Sequence, residues 1–203
     1  MDGTLINQNS WQQLNLALGV TSAEDTEMYE AYGDGKLTYQ AWTNKLFNLY
    51  IERKLATKEN VHQALTKYTF KVGAEDLVSY LQEKGYQIAI ITGSFDVLAQ
   101  QVAEHLHVQT YKANTRLLYD ADNYIKEMIS EGDELHAKLR HLENMCQALG
   151  IAIEECVCIG DGANDIELFN KTNKGITFFD APEHIQAAAW QVVTDLSEIK
   201  NIL

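Results

Sequence analysis

An α/β fold, with a doubly wound parallel sheet and a small inserted helical cap, is what this sequence predicts, and three observations predict it. From about residue 73 onward, short apolar runs alternate with helical periodicity, the pattern of strands joined by crossover helices. Between the first few residues and about residue 72 the texture is helical, interrupted by turn signals and without a strand candidate. Polar, glycine-rich clusters stand directly after the apolar runs, where an open parallel sheet gathers ligands beyond the carboxyl ends of its strands. At 203 residues the chain has room for one such core plus an insertion and is too short for two large domains. The predicted division is a core of residues 1–9 and 72–203 around a cap of residues 10–71.

Taken in order, Asn9 and Ser10 precede a periodic run through Leu14 and Leu18 that stops at Gly19, an N-cap and a C-terminal glycine. Thr21 and Glu24 stand at capping-box spacing before a second helix, which Gly33-Asp34-Gly35 breaks. Trp42, Leu46, Leu49 and Tyr50 recur at helical spacing, and Val61 and Leu65 mark a fourth segment. A helix carrying Leu77, Val78 and Leu81 then leads to Gly85, and Ile88-Ala89-Ile90-Ile91 reads as a buried strand. Leu98, Val102 and Leu106 mark the next helix, followed by a polar, β-leaning stretch from Val108 to about Tyr124 that suggests a hairpin. Leu135, Leu139, Leu142 and Cys146 predict a long helix ended by Gly150, and Cys156-Val157-Cys158-Ile159 a second buried strand. Gly175 to Phe179 and Val192-Val193 supply two more strands, with a helix opened by Pro182 between them.

Composition narrows the function classes. With 46% apolar residues, 22% charged residues and one proline, the chain is an ordinary globular protein. Twenty-nine acidic against 16 basic side chains give a formal charge of −13, which repels a phosphate backbone and argues against nucleic acid as a partner. Neither a bilayer-spanning apolar stretch nor a signal-like segment is apparent, so no membrane partner is expected. Cys146, Cys156 and Cys158 lack metal-ligand spacing and read as core packing in a reducing, cytoplasmic setting. Period-two alternation points Cys156 and Cys158 to one side of their strand.

Three polar clusters follow strand positions: Met1-Asp2-Gly3-Thr4, Thr92-Gly93-Ser94, and Gly160-Asp161-Gly162-Ala163-Asn164-Asp165. Lys138 opens the helix that leads to the last. Displacement at a phosphate monoester needs a cation to offset about two negative charges before a carboxylate can attack. Asp161 is a hard oxygen donor suited to Mg²⁺. Thr92 and Gly93 offer a hydroxyl and a backbone amide to phosphoryl oxygens, and Lys138 offers a positive charge.

These pieces, in this order, resemble a haloacid dehalogenase-superfamily phosphatase, and in particular the phosphoserine-phosphatase-like branch, which carries its cap between the first and second motifs. The resemblance covers nearly the whole chain. It implies a Mg²⁺-dependent phosphomonoesterase working through an aspartyl-phosphate on a small phosphorylated metabolite. Asp2 then resembles the general acid/base, with its carbonyl a metal ligand beside Asp161. Asp165 and Asn164 belong to the shell that orients the metal's waters, and Thr92, Gly93 and Lys138 hold the phosphate.

Two departures qualify the resemblance. The substrate-reading Glu and Arg of phosphoserine phosphatases fall at Asn9, beside Ser10 and Trp11, and near Leu46; Lys45 and Arg53 are the nearest cations if the register slips. Without charge-assisted contacts a zwitterionic substrate is disfavoured, and the pocket near Asn9, Trp11, Trp42 and Leu46 suits a less charged leaving group. The second departure is that Met1 stands at x of the Asp-x-Asp-Gly-Thr-Leu signature, so the nucleophile's position precedes residue 1. A misplaced start is the expected explanation, since a sheet lacking its central strand leaves two strand edges unpaired and a groove in the core. The polypeptide as written is accordingly expected to be inactive. The alternative is a non-catalytic phosphate- or metal-binding protein acting through a partner; transfer to an acceptor other than water is a third reading.

Overall fold

The computed structural model describes residues 1–132 and 134–203, with the side chains of residues 134 and 135 outside that description. Leu135, expected on a helix's apolar stripe, is therefore not placed. Residues 10–65 form four helices, and their starts follow from local chemistry. In α1 (Ser10–Ala17) the Asn9 side chain accepts from the Gln12 amide at 3.1 Å, satisfying one of the donors a helix N-terminus leaves open. In α2 (Ser22–Gly33) Thr21 and Glu24 close a reciprocal capping box. Thr38 and Thr57 cap α3 (Tyr39–Arg53) and α4 (Lys58–Leu65) one way, their hydroxyls accepting from the Ala41 and Asn60 amides.

The helices do not bury their apolar faces among themselves alone. Leu14, Leu18, Trp42, Leu46, Tyr50, Val61 and Leu65 share one core with Ile90, Phe95, Leu98 and Val102 of the following α/β segment. That segment begins with α5 (Ala74–Glu83), β1 (Ala89–Phe95), α6 (Asp96–His105), β2 (Thr110–Tyr119) and β3 (Ile125–Ser130). It continues with α7 (Glu134–Leu149), β4 (Cys158–Ile159), α8 (Ile166–Thr172), β5 (Gly175–Phe178), α9 (Glu183–Gln186) and β6 (Gln191–Val193).

Among the described residues the strands form two sheets of three, ordered β1-β2-β3 and β4-β5-β6. β1 runs parallel to β2, β4 to β5 and β5 to β6, each through a crossover helix, while β3 returns antiparallel to β2. The expected hairpin is thus present, reaching Ser130 rather than stopping near Tyr124. The continuous doubly wound sheet is interrupted between β1 and β4, whose facing edges border a cavity of about 490 Å³. Two strand expectations change for that reason. Of Cys156–Ile159, Cys158 and Ile159 join the ladder, pairing with β5 on one side, and both are half-buried. Ile88 and Ile91 are likewise half-buried and Ala89 is exposed. Phe179, expected to end the strand at Gly175, lies beyond it and is exposed. β1, by contrast, runs on through Thr92-Gly93-Ser94 to Phe95, with a register shift between Thr92 and Phe95, an irregularity of the kind that re-aims side chains at a site.

Candidate active site

The carboxyl ends of β1 and β4 converge with the first four residues, and three side-chain groupings result. In the first, the Thr4 hydroxyl donates to Asp161 Oδ1 at 2.6 Å across the cleft. Gly3 permits this approach: it has φ +65°, and a Cβ there would lie 2.0 Å from Asp161 Oδ2, so both conformation and space call for glycine.

In the second, Lys138 Nζ, on the first turns of α7, donates to Asn164 Oδ1 at 2.8 Å and Asp165 Oδ1 at 2.7 Å, with the pair buried. Asp165 Oδ2 accepts from the amides of Asp161 and Gly162 at 3.1 Å each, so one carboxylate folds the Gly160–Asp165 turn around itself. A Cβ on Gly160 would come 2.3 Å from that carboxyl group. Burial opposes ionisation of Asp165. The Lys138 ammonium, its hydrogen bond, the nearby α-amino group and the Gly162 amide outweigh burial and hold the carboxyl below its ordinary value.

In the third, Asp2 Oδ2 accepts from the Ser10 amide at 2.7 Å and the Ser10 hydroxyl at 2.5 Å. The Ser10 hydroxyl also bonds Ser94 Oγ, and the Ser94 amide donates to Thr92 Oγ1 at 3.2 Å. Among the described residues Asp2 Oδ1 is buried without a hydrogen-bond partner. The N-terminus of α1 thereby presents its first amide to a carboxylate, an arrangement the helix dipole favours.

Asp2, Thr92, Gly93, Lys138, Asp161, Asn164 and Asp165 therefore lie in one connected neighbourhood. Trp11 joins it, since its Nε1 donates to the Gly93 carbonyl at 3.3 Å, and its ring packs on Trp42 and Phe95. Asn9 and Leu46 have other surroundings: Asn9 is exposed and engaged in capping, and Leu46 is fully buried in the shared core. Lys45 is exposed, and Arg53 pairs with Glu24 at 2.8 Å. Thr4, Ser10 and Ser94 are contacts that the sequence reading did not assign. Ser10 carried one signal, its place as the first residue of a helix that follows Asp2 closely. Among the described residues no group of three or more His, Cys, Asp or Glu side chains is arranged to hold a metal ion, and no helix is long and apolar enough to cross a membrane.

Polar loops are thus gathered at one end of the parallel strands, with a lysine–aspartate pair and an acidic loop facing the turn at Gly3. The chain belongs to the haloacid dehalogenase-like hydrolases, whose family profile matches residues 1–171. It is 30% identical over 181 residues to a phosphoserine phosphatase from Methanocaldococcus jannaschii, covering 89% of this chain and 83% of that protein. A phosphoserine phosphatase from Streptococcus thermophilus is 23% identical over 210 residues, covering 100% of this chain and 93% of the other. Among solved structures, a phospho-aspartyl intermediate analogue of phosphoserine phosphatase superposes with a TM-score of 0.83 at 28% identity, covering 100% of this chain and 95% of that one.

Proposed function

We propose that this chain is a Mg²⁺-dependent phosphomonoester hydrolase acting through an aspartyl-phosphate on a small phosphorylated metabolite whose leaving group is less charged than serine. The observation that carries the reading is the connected set Asp2, Thr92, Lys138, Asp161 and Asp165 at the ends of β1 and β4. In this reading Thr92 and Gly93 hydrogen-bond the phosphoryl oxygens and Lys138 offsets their developing charge. Asp2 protonates the leaving alkoxide and later takes a proton from the attacking water. Ser10 holds Oδ2 of Asp2 while, among the described residues, Oδ1 has no hydrogen-bond partner, which leaves that oxygen available for proton transfer.

Mg²⁺ fits the donors present. It takes hard oxygen ligands, borrows one or two carboxylates and keeps several waters, so a cluster of three acidic side chains is not required. The Asp161 carboxylate and the Asp2 carbonyl would hold it, with Asp165 and Asn164 outside them. When bound, the cation neutralises the phosphate's negative charge.

The proposed leaving group follows from the aromatic wall of Trp11 and Trp42, which stands against the Gly93 carbonyl and carries no charge. Residues 10–71 act as the cap in this reading. A cytoplasmic setting accords with three free thiols. The family's nucleophile position lies two residues before Asp2, and that fixes the experiment. A protein extended by the in-frame codons upstream of Met1 is assayed with Mg²⁺ against a panel of phosphate monoesters, with the 203-residue polypeptide as control. The extended protein is expected to hydrolyse sugar or alcohol phosphates faster than phosphoserine and to lose activity on Asp161→Ala. The control is expected to leave p-nitrophenyl phosphate intact. Upstream codons that encode a stop, or a preference for phosphoserine, would overturn the corresponding part.

A further inference from the structure

Two of the three free cysteines are in contact. Cys146 Sγ, on the last turns of α7, lies 3.5 Å from Cys156 Sγ, just before β4, with one thiol donating to the other. The chain between them is a closed turn rather than a free loop. The Ile151 amide donates to the Cys146 carbonyl at 3.1 Å, the Ala152 amide to the Glu155 carboxylate at 2.7 Å, and the Cys156 amide to the Ile153 carbonyl at 3.1 Å. Leu139, Leu142, Leu168 and Ile153 belong to the same apolar cluster as both thiols. The contact therefore depends on α7 and the turn that follows it.

Geometry sets Cys158 apart from this pair. Side chains two apart on an extended chain stand about 6.6 Å from one another, more than the roughly 4.5 Å that a disulfide spans between its Cβ atoms, so Cys156 and Cys158 do not reach each other. Access favours Cys156 as the first thiol to react. It is half-buried where Cys146 is buried, and Ala152, Glu154 and Glu155, which lead to it, are exposed. Burial, the Cys146 thiol and Glu155 push the Cys156 thiol up to about 11, against the opposing pull of Lys174. Its thiolate fraction is small at neutral pH, so exchange is slow there and accelerates in alkali.

We infer that Cys146 and Cys156 form a reversible disulfide, closed by exchange with a small-molecule disulfide and reopened by a dithiol. Cys156, having lost its proton, attacks one sulfur of the small disulfide; that S–S bond breaks and one small thiol leaves with the proton. Cys146 then attacks Cys156 Sγ, and the second small thiol leaves with the Cys146 proton, so two cysteine thiols are oxidised and one disulfide is reduced to two thiols. The sulfurs close from 3.5 Å to about 2 Å. Cys146 lies about two turns beyond Lys138 on α7, and the strand after Cys156 leads to Asp165, which Lys138 meets at 2.7 Å. The disulfide therefore ties at one end the two elements that this ion pair joins at the other. The inference concerns thiol chemistry and stands independently of hydrolytic activity.

The test incubates the 203-residue protein with 2-hydroxyethyl disulfide, an uncharged oxidant, and reads intact mass and non-reducing peptide maps. The expected product is lighter by two hydrogens, with Cys146 joined to Cys156 in one chain and Cys158 free. It should form about tenfold faster per unit of pH between about pH 7 and pH 9 and revert with dithiothreitol. Cys158→Ser should form the same bond, whereas Cys146→Ser should stop at the mixed disulfide, with one 2-hydroxyethylthio group on Cys156. The oxidised protein should unfold at a higher urea concentration than the reduced one, since the bond restricts the unfolded chain. A bond from Cys158 to either of the others, a bond between two chains, or a mixed disulfide that persists on the parent would overturn the inference. So would thiols that stay free in alkali, or a urea midpoint that oxidation lowers.

Discussion

Gly3 and Asp165 are the two residues on which the site's geometry depends most directly. Gly3→Ala forces a Cβ to within 2.0 Å of Asp161 Oδ2 at a φ of +65°, so either the turn or the Asp161 carboxylate moves. A loss of about 1–3 kcal/mol is expected from urea unfolding, and the Thr4 to Asp161 hydrogen bond should be lost with it. Asp165 is buried against Lys138 and titrates below its ordinary value of 3.8. A depressed folded-state pKa means that the pair contributes above the unfolded value and that the contribution disappears as pH falls through the lower folded value. Asp165→Asn removes one partner of a buried pair and should cost about 3–5 kcal/mol at pH 7. Because the variant has no such carboxylate to protonate, its stability should decline less steeply than the parent's below about pH 4, and urea midpoints at pH 7 and pH 3 give the comparison.

At the scale of elements, the caps behave as local chemistry requires. Thr21→Ala deletes the hydroxyl that accepts from the Glu24 amide at 3.3 Å, and a loss of about 1 kcal/mol is expected by thermal or urea unfolding, with Thr21→Ser close to the parent. Such features were legible in the sequence because donor and acceptor lie three residues apart: Asn9, Thr21, Gly19 and Gly33-Asp34-Gly35 all mark helix boundaries as read. That Lys138, Asp161 and Asp165 come together was legible because motif order supplied what spacing alone could not. Thr4 on Asp161, Ser10 on Asp2 and Ser94 on Ser10 were not, since two of these contacts join residues 157 and 84 positions apart and all three depend on how a strand end meets a helix. The length of β4 was misread for a related reason. Cys156-Val157-Cys158-Ile159 has the apolar texture of a fully buried strand, yet burial comes from neighbours on both edges, and β4 pairs with β5 on one.

Across the whole molecule, the charge of −13 and the buried cation of Lys138 act on an anionic ligand with opposite sign and over different distances. The acidic surface acts at long range through solvent, where the Debye length falls from about 30 Å at 0.01 M to about 10 Å at 0.1 M ionic strength. In the proposed reading Lys138 and the Thr92–Gly93 stretch of β1 act at hydrogen-bonding distance inside the fold, where salt screens little. Added salt should therefore weaken the repulsion more than the attraction. Inorganic phosphate, titrated calorimetrically into the 203-residue protein at fixed free Mg²⁺, is expected to bind about two- to threefold more tightly at 0.1 M than at 0.01 M salt. Lys138→Met should weaken binding at both ionic strengths while keeping the same direction of salt dependence, because it removes the local attraction and leaves the acidic surface in place. A parent protein that binds phosphate less tightly as salt rises would show instead that the local cations dominate the field a ligand meets on approach.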